Sequence, residues 1–494
     1  MVNYGPSYLV AAVASMGGLL FGYDIGVMAN VLEMDFFKLF FKDPSDGAEG
    51  VIVSFLTLGC FIGSLIAGQA TDIFSRKRSI LAASLVFIGG SIIQGASNGY
   101  AMLVIGRFIN GLAVGILSQA VPTYQSEVSA PEVRGRLISL QQWAITWGIA
   151  IAFWIGVGLD SVKSDQSWRI TLYLQSVPSG LLFIGMFFMP FSPRWLASKD
   201  RYDEALVVLA RLRSGGDTTN PEVLDELENI KEGIRIDREN AKRSYLDLLK
   251  YPIKRRLGLG VITQVLQQLT GINVIMYYAP RIFKQAGIGN GDDSNINLIA
   301  TGVNGLVNVL FTIPAILYVD RWGRRKTLII GAIGCGTAYL ILALCIAIGG
   351  STGYDDKGVK IVVMHSNGAS YTAIVMVYVF VASFAVSWGP VGWIYPAEIF
   401  PMDVRAKATS VTTAANWLLN FVVGLAAPAL IKQITYGIYL IFTGFMAIAI
   451  VVVYFFYPET KGRTLEQMEI VFTGSIWANK DYIRVEQAIN KGSS

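Results

Sequence analysis

Apolar residues gather in twelve runs along this chain, each near the length of about twenty residues that a helix needs to cross a bilayer. The runs fall near 7–29, 51–72, 79–98, 101–123, 138–159, 170–190, 257–284, 296–319, 327–348, 371–395, 407–431 and 437–457. Short polar turns separate them, with one exception. The polar stretch Phe191–Arg256 stands between the sixth and the seventh run and splits the chain into six plus six. Inside it, Tyr202–Arg213 and Pro221–Lys242 are rich in Glu, Arg and Leu and read as helices. The pattern predicts an all-α membrane protein of twelve transmembrane helices. The expected parts are an N-terminal six-helix bundle (1–190), a helical linker (191–256), a C-terminal six-helix bundle (257–457) and a tail (458–494).

The halves repeat. Asp72-x-x-x-Arg76 answers Asp320-x-x-x-Arg324. Glu127 is followed seven residues later by Arg134, and Glu398 seven residues later by Arg405. Pro190-Phe-Ser-Pro-Arg194 answers Pro458-Glu-Thr-Lys-Gly-Arg463. All these offsets are about 250–270 residues, which points to two pseudo-symmetric bundles. Charge orients them. The turns Thr71–Arg78 and Asp320–Lys326 and the linker are rich in Lys and Arg. Of the loops of opposite parity, Asn98–Ala101 has none and Glu33–Glu49 is mostly acidic. The positive-inside rule then puts both termini and the linker in the cytoplasm.

Composition sharpens this reading. Residues are 53% hydrophobic and 15% charged, against about 25% charged in soluble domains. The formal charge of +5 belongs to individual loops and is no nucleic-acid footprint. Cys60, Cys335 and Cys345 all lie in apolar runs, so no disulfide framework is expected. No nucleophile constellation, phosphate-binding loop or metal-ligand cluster is evident. An enzyme and an ATP-driven pump are therefore disfavoured, and no cofactor is expected. The lone His365 sits in a polar loop and is assigned nothing.

Two sets of residues break the apolar pattern. The first is Gln267–Tyr278, read Q-Q-L-T-G-I-N-V-I-M-Y-Y, inside the seventh run. Polar groups left unpaired in hydrocarbon cost several kcal/mol, so these must face protein or a wet interior. Carboxamides donate and accept, as hydroxyls do, which suggests an uncharged, hydroxyl-rich solute. Gln264, Gln267, Gln268 and Gly271 share one helical stripe, but Asn273 lies roughly 140° away from Gln268 and joins them only if the helix breaks near Thr270-Gly271. Interhelical hydrogen bonding is the plainer reading of the same residues. The second set is Asp24 and Arg107, charges deep in apolar runs, where isolated charges are costly and usually functional. Paired when empty, they form a proton switch if Arg107 moves away; a fixed structural pair is the alternative.

At these residues the chain resembles the sugar porters of the major facilitator superfamily, in their fungal form. The resemblance covers about residues 8–465. It rests on Gly17–Asp24 (G-G-L-L-F-G-Y-D), Gly106–Gly111 (G-R-F-I-N-G), Pro122-x-Tyr124-x-Ser126-Glu127, Ser192-Pro-Arg194, Q-Q-L-T-G-I-N, D-R-W-G-R-R, Ser387–Trp393 (S-W-G-P-V-G-W) and P-E-T-K-G-R. One departure is Asp72-Ile-Phe-Ser-Arg76-Lys77, where the family has D-R-x-G-R-R. The resemblance implies the major facilitator fold and a monosaccharide, hexose or pentose, carried by alternating access with a proton as the coupling ion. It implies substrate contacts from Gln142, Gln267, Gln268, Asn273, Asn308, Gly389, Asn416 and Asn420, with Trp393, after Gly389-Pro390, beneath the ring. Phe21 and Tyr278 are the aromatics expected to stack on the solute or close over it. Proton coupling falls to Asp24 and Arg107, since proton-driven members carry Asp where facilitative ones commonly carry Asn. Glu127, Arg134, Arg76, Arg324, Arg325, Glu398 and Arg405 are expected to latch the cytoplasmic gate. The expected partners are the sugar and the lipid bilayer, with no nucleic acid, and the protein is expected to act as a monomer in the plasma membrane. A facilitative uniporter is the alternative of the same class, and a transporter-like sugar sensor one of another. Sensors of this family tend to have long tails, and only about thirty residues follow Arg463.

Overall fold

The protein is described here by a computed structural model covering residues 5–129, 134–240, 245–250, 253–286, 294–354, 360–401 and 404–461, with 472 and 477. The side chain of Arg134 and most of the 458–494 tail lie outside the described residues.

Among the described residues, twelve helical spans are long and apolar enough to cross a membrane. They are Gly5–Val31, Asp46–Phe74, Arg76–Gly95, Tyr100–Val128, Ser139–Asp160, Gln166–Phe188, Ile253–Gln285, Ile296–Val319, Arg324–Gly349, Asn367–Ile399, Lys407–Ile434 and Gly437–Phe456. Each contains most of one predicted apolar run; only the ends shift. Three spans are built from two helices. The sixth comprises Gln166–Tyr173 and Ser176–Phe188, the seventh Ile253–Leu269 and Ile272–Gln285, the tenth Asn367–Ala385 and Trp388–Ile399. The cause in the seventh is Gly271, which sits at φ +80, a left-handed conformation costly to other residues. A side chain there would also meet the Phe442 ring at 2.7 Å. The same span bends again at Tyr278, two residues before Pro280, whose ring cannot continue the hydrogen-bond ladder.

Packing repeats between the halves. In the first, span one lies on span five, span two on four, and span three on four and six. In the second, span seven lies on eleven, eight on ten, and nine on ten and twelve. The halves meet through span two against eleven and span five against eight, pairs that exchange under the pseudo-symmetry.

The linker forms helices Pro193–Ser198, Tyr202–Arg213 and Pro221–Asn240. They bury a small core of their own, including Trp195, Leu209, Val223 and Leu227. Arg213 ties it to the first half by donating to the Val128 carbonyl at 3.0 Å and to Ser7 Oγ at 3.1 Å. The side of the bundle that carries the linker is called the linker face below.

The departure at Ser75 has a structural counterpart. Ser75 takes φ 91, ψ 154 and Gly323, its equivalent, takes φ 87, ψ 149. The turn therefore forms in both halves, without glycine in the first. The helix starts are capped differently. Ser75 Oγ accepts from its own Arg78 N–H at 3.2 Å. In the second half Glu459 reaches across and accepts from the N–H groups of Arg324 at 2.7 Å and Arg325 at 3.1 Å. The apolar pattern does not predict the short helix Asp35–Phe40 or the antiparallel hairpin Gly350–Tyr354 with Lys360–Met364.

Candidate functional site

The break at Gly271 turns Asn273 back toward the stripe, and its Nδ2 donates to Gln268 Oε1 at 2.6 Å. Gln268 Nε2 donates to Asn416 Oδ1 at 3.0 Å. Asn416 Nδ2 in turn donates to Gln264 Oε1 at 2.6 Å and Gln267 Oε1 at 2.8 Å. Gln264 Nε2 ends on the Gly392 carbonyl at 3.0 Å, and Gln267 Nε2 on the carbonyls of Trp388 at 2.8 Å and Gly389 at 3.2 Å. Five carboxamides from spans seven and eleven thus form one continuous array against the broken tenth span.

The array has a direction. Backbone carbonyls only accept, so Gln264 and Gln267 must aim their amino groups at span ten. Their oxygens then face Asn416, which must present Nδ2 to them and Oδ1 to Gln268. Gln268 must therefore present Oε1 to Asn273. The chain of constraints ends on Asn273 Oδ1, an acceptor whose orientation is set by carbonyls two helices away. Its free lone pairs, with the remaining N–H donors of Gln268 and Asn273, suit the hydroxyls of a neutral solute.

The other expected contacts are spread around this array. Asn308 is buried on the eighth span, while Gln142 and Trp393 are half-buried on the fifth and tenth. Among the described residues no hydrogen bond joins their side chains to the array. Asn420 accepts from Tyr277 Oη at 3.4 Å, and Tyr278 Oη donates to the Gly424 carbonyl at 3.2 Å. Phe21, from the first half, meets Trp417 of the second edge-on, with ring centroids 5.0 Å apart. Gln264, Tyr277 and Trp417 were not among the expected site residues. Gln264 carried a usable signal, its place on the glutamine stripe.

Asp24 and Arg107 are both fully buried and form a direct ion pair between the first and fourth spans. Arg107 Nε also donates to the Ile52 carbonyl of span two at 3.1 Å. No group of metal-ligating side chains occurs among the described residues.

Comparison with known proteins decides the family. The model of the family described as "Sugar (and other) transporter" matches residues 10–472. This chain belongs to that family. The transporter is 39% identical to a glucose transporter of Aspergillus flavus over 95% of this chain and 90% of that one. It is 37% identical to the high-affinity glucose transporter of Kluyveromyces lactis, over 96% and 87%. A high glucose sensor of Saccharomyces cerevisiae is 35% identical over 94% of this chain, which spans 60% of the sensor. Among solved structures, the proton:xylose symporter XylE bound to 6-bromo-6-deoxy-D-glucose superposes with a TM-score of 0.79 at 27% identity, covering 95% of this chain and all of that one. The fold is thus the major facilitator fold, and the chain is a multi-pass sugar transporter.

The transporter's charged residues sort by face. On the linker face Arg76 pairs with Glu127 at 3.0 Å and Asp72 at 2.8 Å. Arg324 pairs with Glu398 at 2.5 Å, Arg325 donates to the Tyr454 carbonyl, and Arg405 donates to the Phe400 carbonyl at 3.1 Å. Each of these links joins residues of one half. Ion pairs that cross between the halves are found on the opposite face. Arg281, at the end of the seventh span, donates to Glu33 at 2.7 Å and to Glu49 at 2.6 Å. Lys38, on the short helix Asp35–Phe40, holds the other oxygen of Glu33 at 2.7 Å. Lys432 pairs with Asp46 at 3.0 Å. Burial pushes the Glu33 carboxyl up, but Arg281 and Lys38 outweigh it and hold it at about 2. This clasp closes the opposite face, and no expectation drawn from the sequence included it.

Proposed function

We propose that the transporter imports a monosaccharide, hexose or pentose, together with a proton across the plasma membrane by alternating access. In this reading the linker face and both termini are cytoplasmic, the protein acts as a monomer, and the proton is the only co-transported species. The carboxamide array binds the sugar hydroxyls, with Gln142, Asn308 and Trp393 joining once the halves close on the solute. The named substrates of the relatives, glucose and xylose, support that solute class.

One observation carries the coupling: Asp24 and Arg107 are wholly buried and paired in the half that does not hold the amide array. Removing both charges from water costs several kcal/mol per ion, a burden best explained by use. Movement of Arg107 away from Asp24 leaves the carboxylate unpaired in a dry setting, where it takes a proton. Return of Arg107 expels it. The test is transport in reconstituted vesicles. Asp24→Asn is expected to abolish accumulation against a gradient while sugar exchange continues. Accumulation that survives the substitution overturns the coupling. A uniporter equilibrates sugar without accumulating it in the unsubstituted protein, and a sensor does neither.

A further inference from the structure

A second set of buried polar groups lies in the first half, away from the sugar array. Gln94 on the third span is fully buried, and among the described residues both its amide oxygen and its amide nitrogen lack a partner. The same holds for Asn110 Oδ1 on the fourth span, Gln175 Nε2 on the sixth, and Ser97 Oγ beyond the end of the third. An unsatisfied buried group costs about 1–3 kcal/mol, so a dry arrangement of these five atoms is strongly disfavoured. They are mutually close. Asn110 Nδ2 donates to Ser91 Oγ at 3.1 Å and to Gln175 Oε1 at 3.4 Å. Gln94 lies about one helical turn beyond Ser91. It packs on Gly106, where a Cβ would come 2.7 Å from Gln94 Cγ. The sixth span is interrupted between Tyr173 and Ser176, at the level of Gln175.

The two ends of this set give it a direction. At its inner end Asn110 stands beside the Asp24 carboxylate, whose Oδ2 has no hydrogen-bond partner. At its outer end Ser97 lies on the face opposite the linker. There Arg169 donates to the Gly95 and Ser97 carbonyls at 2.9 and 3.0 Å. Among the described residues, the other titratable or charged groups near Asp24 are Arg107 on the fourth span, Tyr23 next to Asp24 in the chain, Cys60 on the second span and Tyr277 on the seventh. None of these lies between Asn110 and Ser97.

We propose that Gln94, Asn110, Gln175 and Ser97 hold a file of water molecules through the first half that delivers protons to Asp24 from the face opposite the linker, apart from the sugar's own route. A hydronium at the outer end gives up one proton, the hydrogen-bonded file passes it inward, and the Asp24 carboxylate accepts it. The amides themselves neither gain nor lose a proton. This rests on the coupling reading above. It assigns to Gln94 a positioning role distinct from sugar binding.

The test uses the full chain in vesicles, with a pH-sensitive dye for sugar-driven proton influx and labelled glucose for counterflow. Gln94→Leu keeps the volume and removes both polar atoms. It is expected to slow proton influx at least fivefold while counterflow changes by less than twofold. Gln94→Asn is expected to restore most of the influx, a rescue that packing alone does not produce. Wild-type proton influx in Gln94→Leu overturns the file and leaves the coupling standing. So does an equal loss of influx and counterflow, which marks a packing role. Absence of any sugar-driven proton movement in the unsubstituted protein overturns both.

Discussion

Asn416 is the residue on which the carboxamide array turns. It donates to two glutamine oxygens and accepts from a third amide, so its loss strands three oriented partners. Asn416→Leu is expected to weaken monosaccharide binding at least tenfold, since each stranded partner costs about 1–3 kcal/mol. Titration calorimetry of the purified protein checks this, and unchanged affinity would show that the array is structural. The glutamine stripe and the break at Thr270-Gly271 were legible in the sequence because both depend on local periodicity and one glycine. The direction of the array was not. It depends on the backbone carbonyls of Trp388, Gly389 and Gly392, which no residue type reveals. Gln94 and Gln175 gave the same signal as Asn308, a lone amide in an apolar run, and only the fold places them in the first half, away from the carboxamide array.

At the scale of elements, the turns at Ser75 and Gly323 make opposite predictions. Ser75 holds a left-handed φ that costs about 1–3 kcal/mol for a residue with a side chain. Losing its cap to glycine costs only a few tenths. Ser75→Gly is therefore expected to raise the melting temperature in detergent. Gly323→Ser is expected to lower it, because a Cβ there would lie 2.6 Å from the Glu459 carboxylate that caps the ninth span.

The clasp on the opposite face makes a prediction of its own. Glu33, Glu49 and Arg281 look like ordinary charges near span ends, and only the closure of the two halves brings them together. Arg281→Gln removes two charge-assisted bonds, each worth about 1.5–3 kcal/mol. It is expected to raise labelling of Ser54→Cys, on the buried span-two face beside Gly424, by an impermeant maleimide at least tenfold. The pH dependence follows from Glu33. Its pKa is held at about 2 in the closed arrangement. A depressed carboxyl stabilises the clasp fully above its ordinary value of 4.5 and loses that contribution progressively as pH falls from there through about 2. The labelling difference between Glu33→Gln and the unsubstituted clasp is thus expected to be equal at pH 6 and pH 8. A difference that disappears at pH 6 would mean that Glu33 is not held charged.

For the whole molecule, the twelve spans, the six-plus-six division and the family were readable from apolar runs and repeated motifs. The state of the two faces was not, because it depends on which charges meet across the halves. The described ion pairs tie each half internally on the linker face and the two halves together on the other, while nearer the linker face the halves meet through neutral contacts such as Ser410 Oγ donating to the Ser64 carbonyl at 2.9 Å. That arrangement fits a carrier closed on the side away from the linker, and the proposed function puts the sugar in the second half and the proton switch in the first. Coupling then requires the two halves to move as one cycle. Accumulation of a labelled monosaccharide in vesicles under an imposed proton gradient tests this most directly. The internal concentration is expected to rise above the external one and to collapse when a protonophore is added. Sugar that only equilibrates, with or without the gradient, would contradict it.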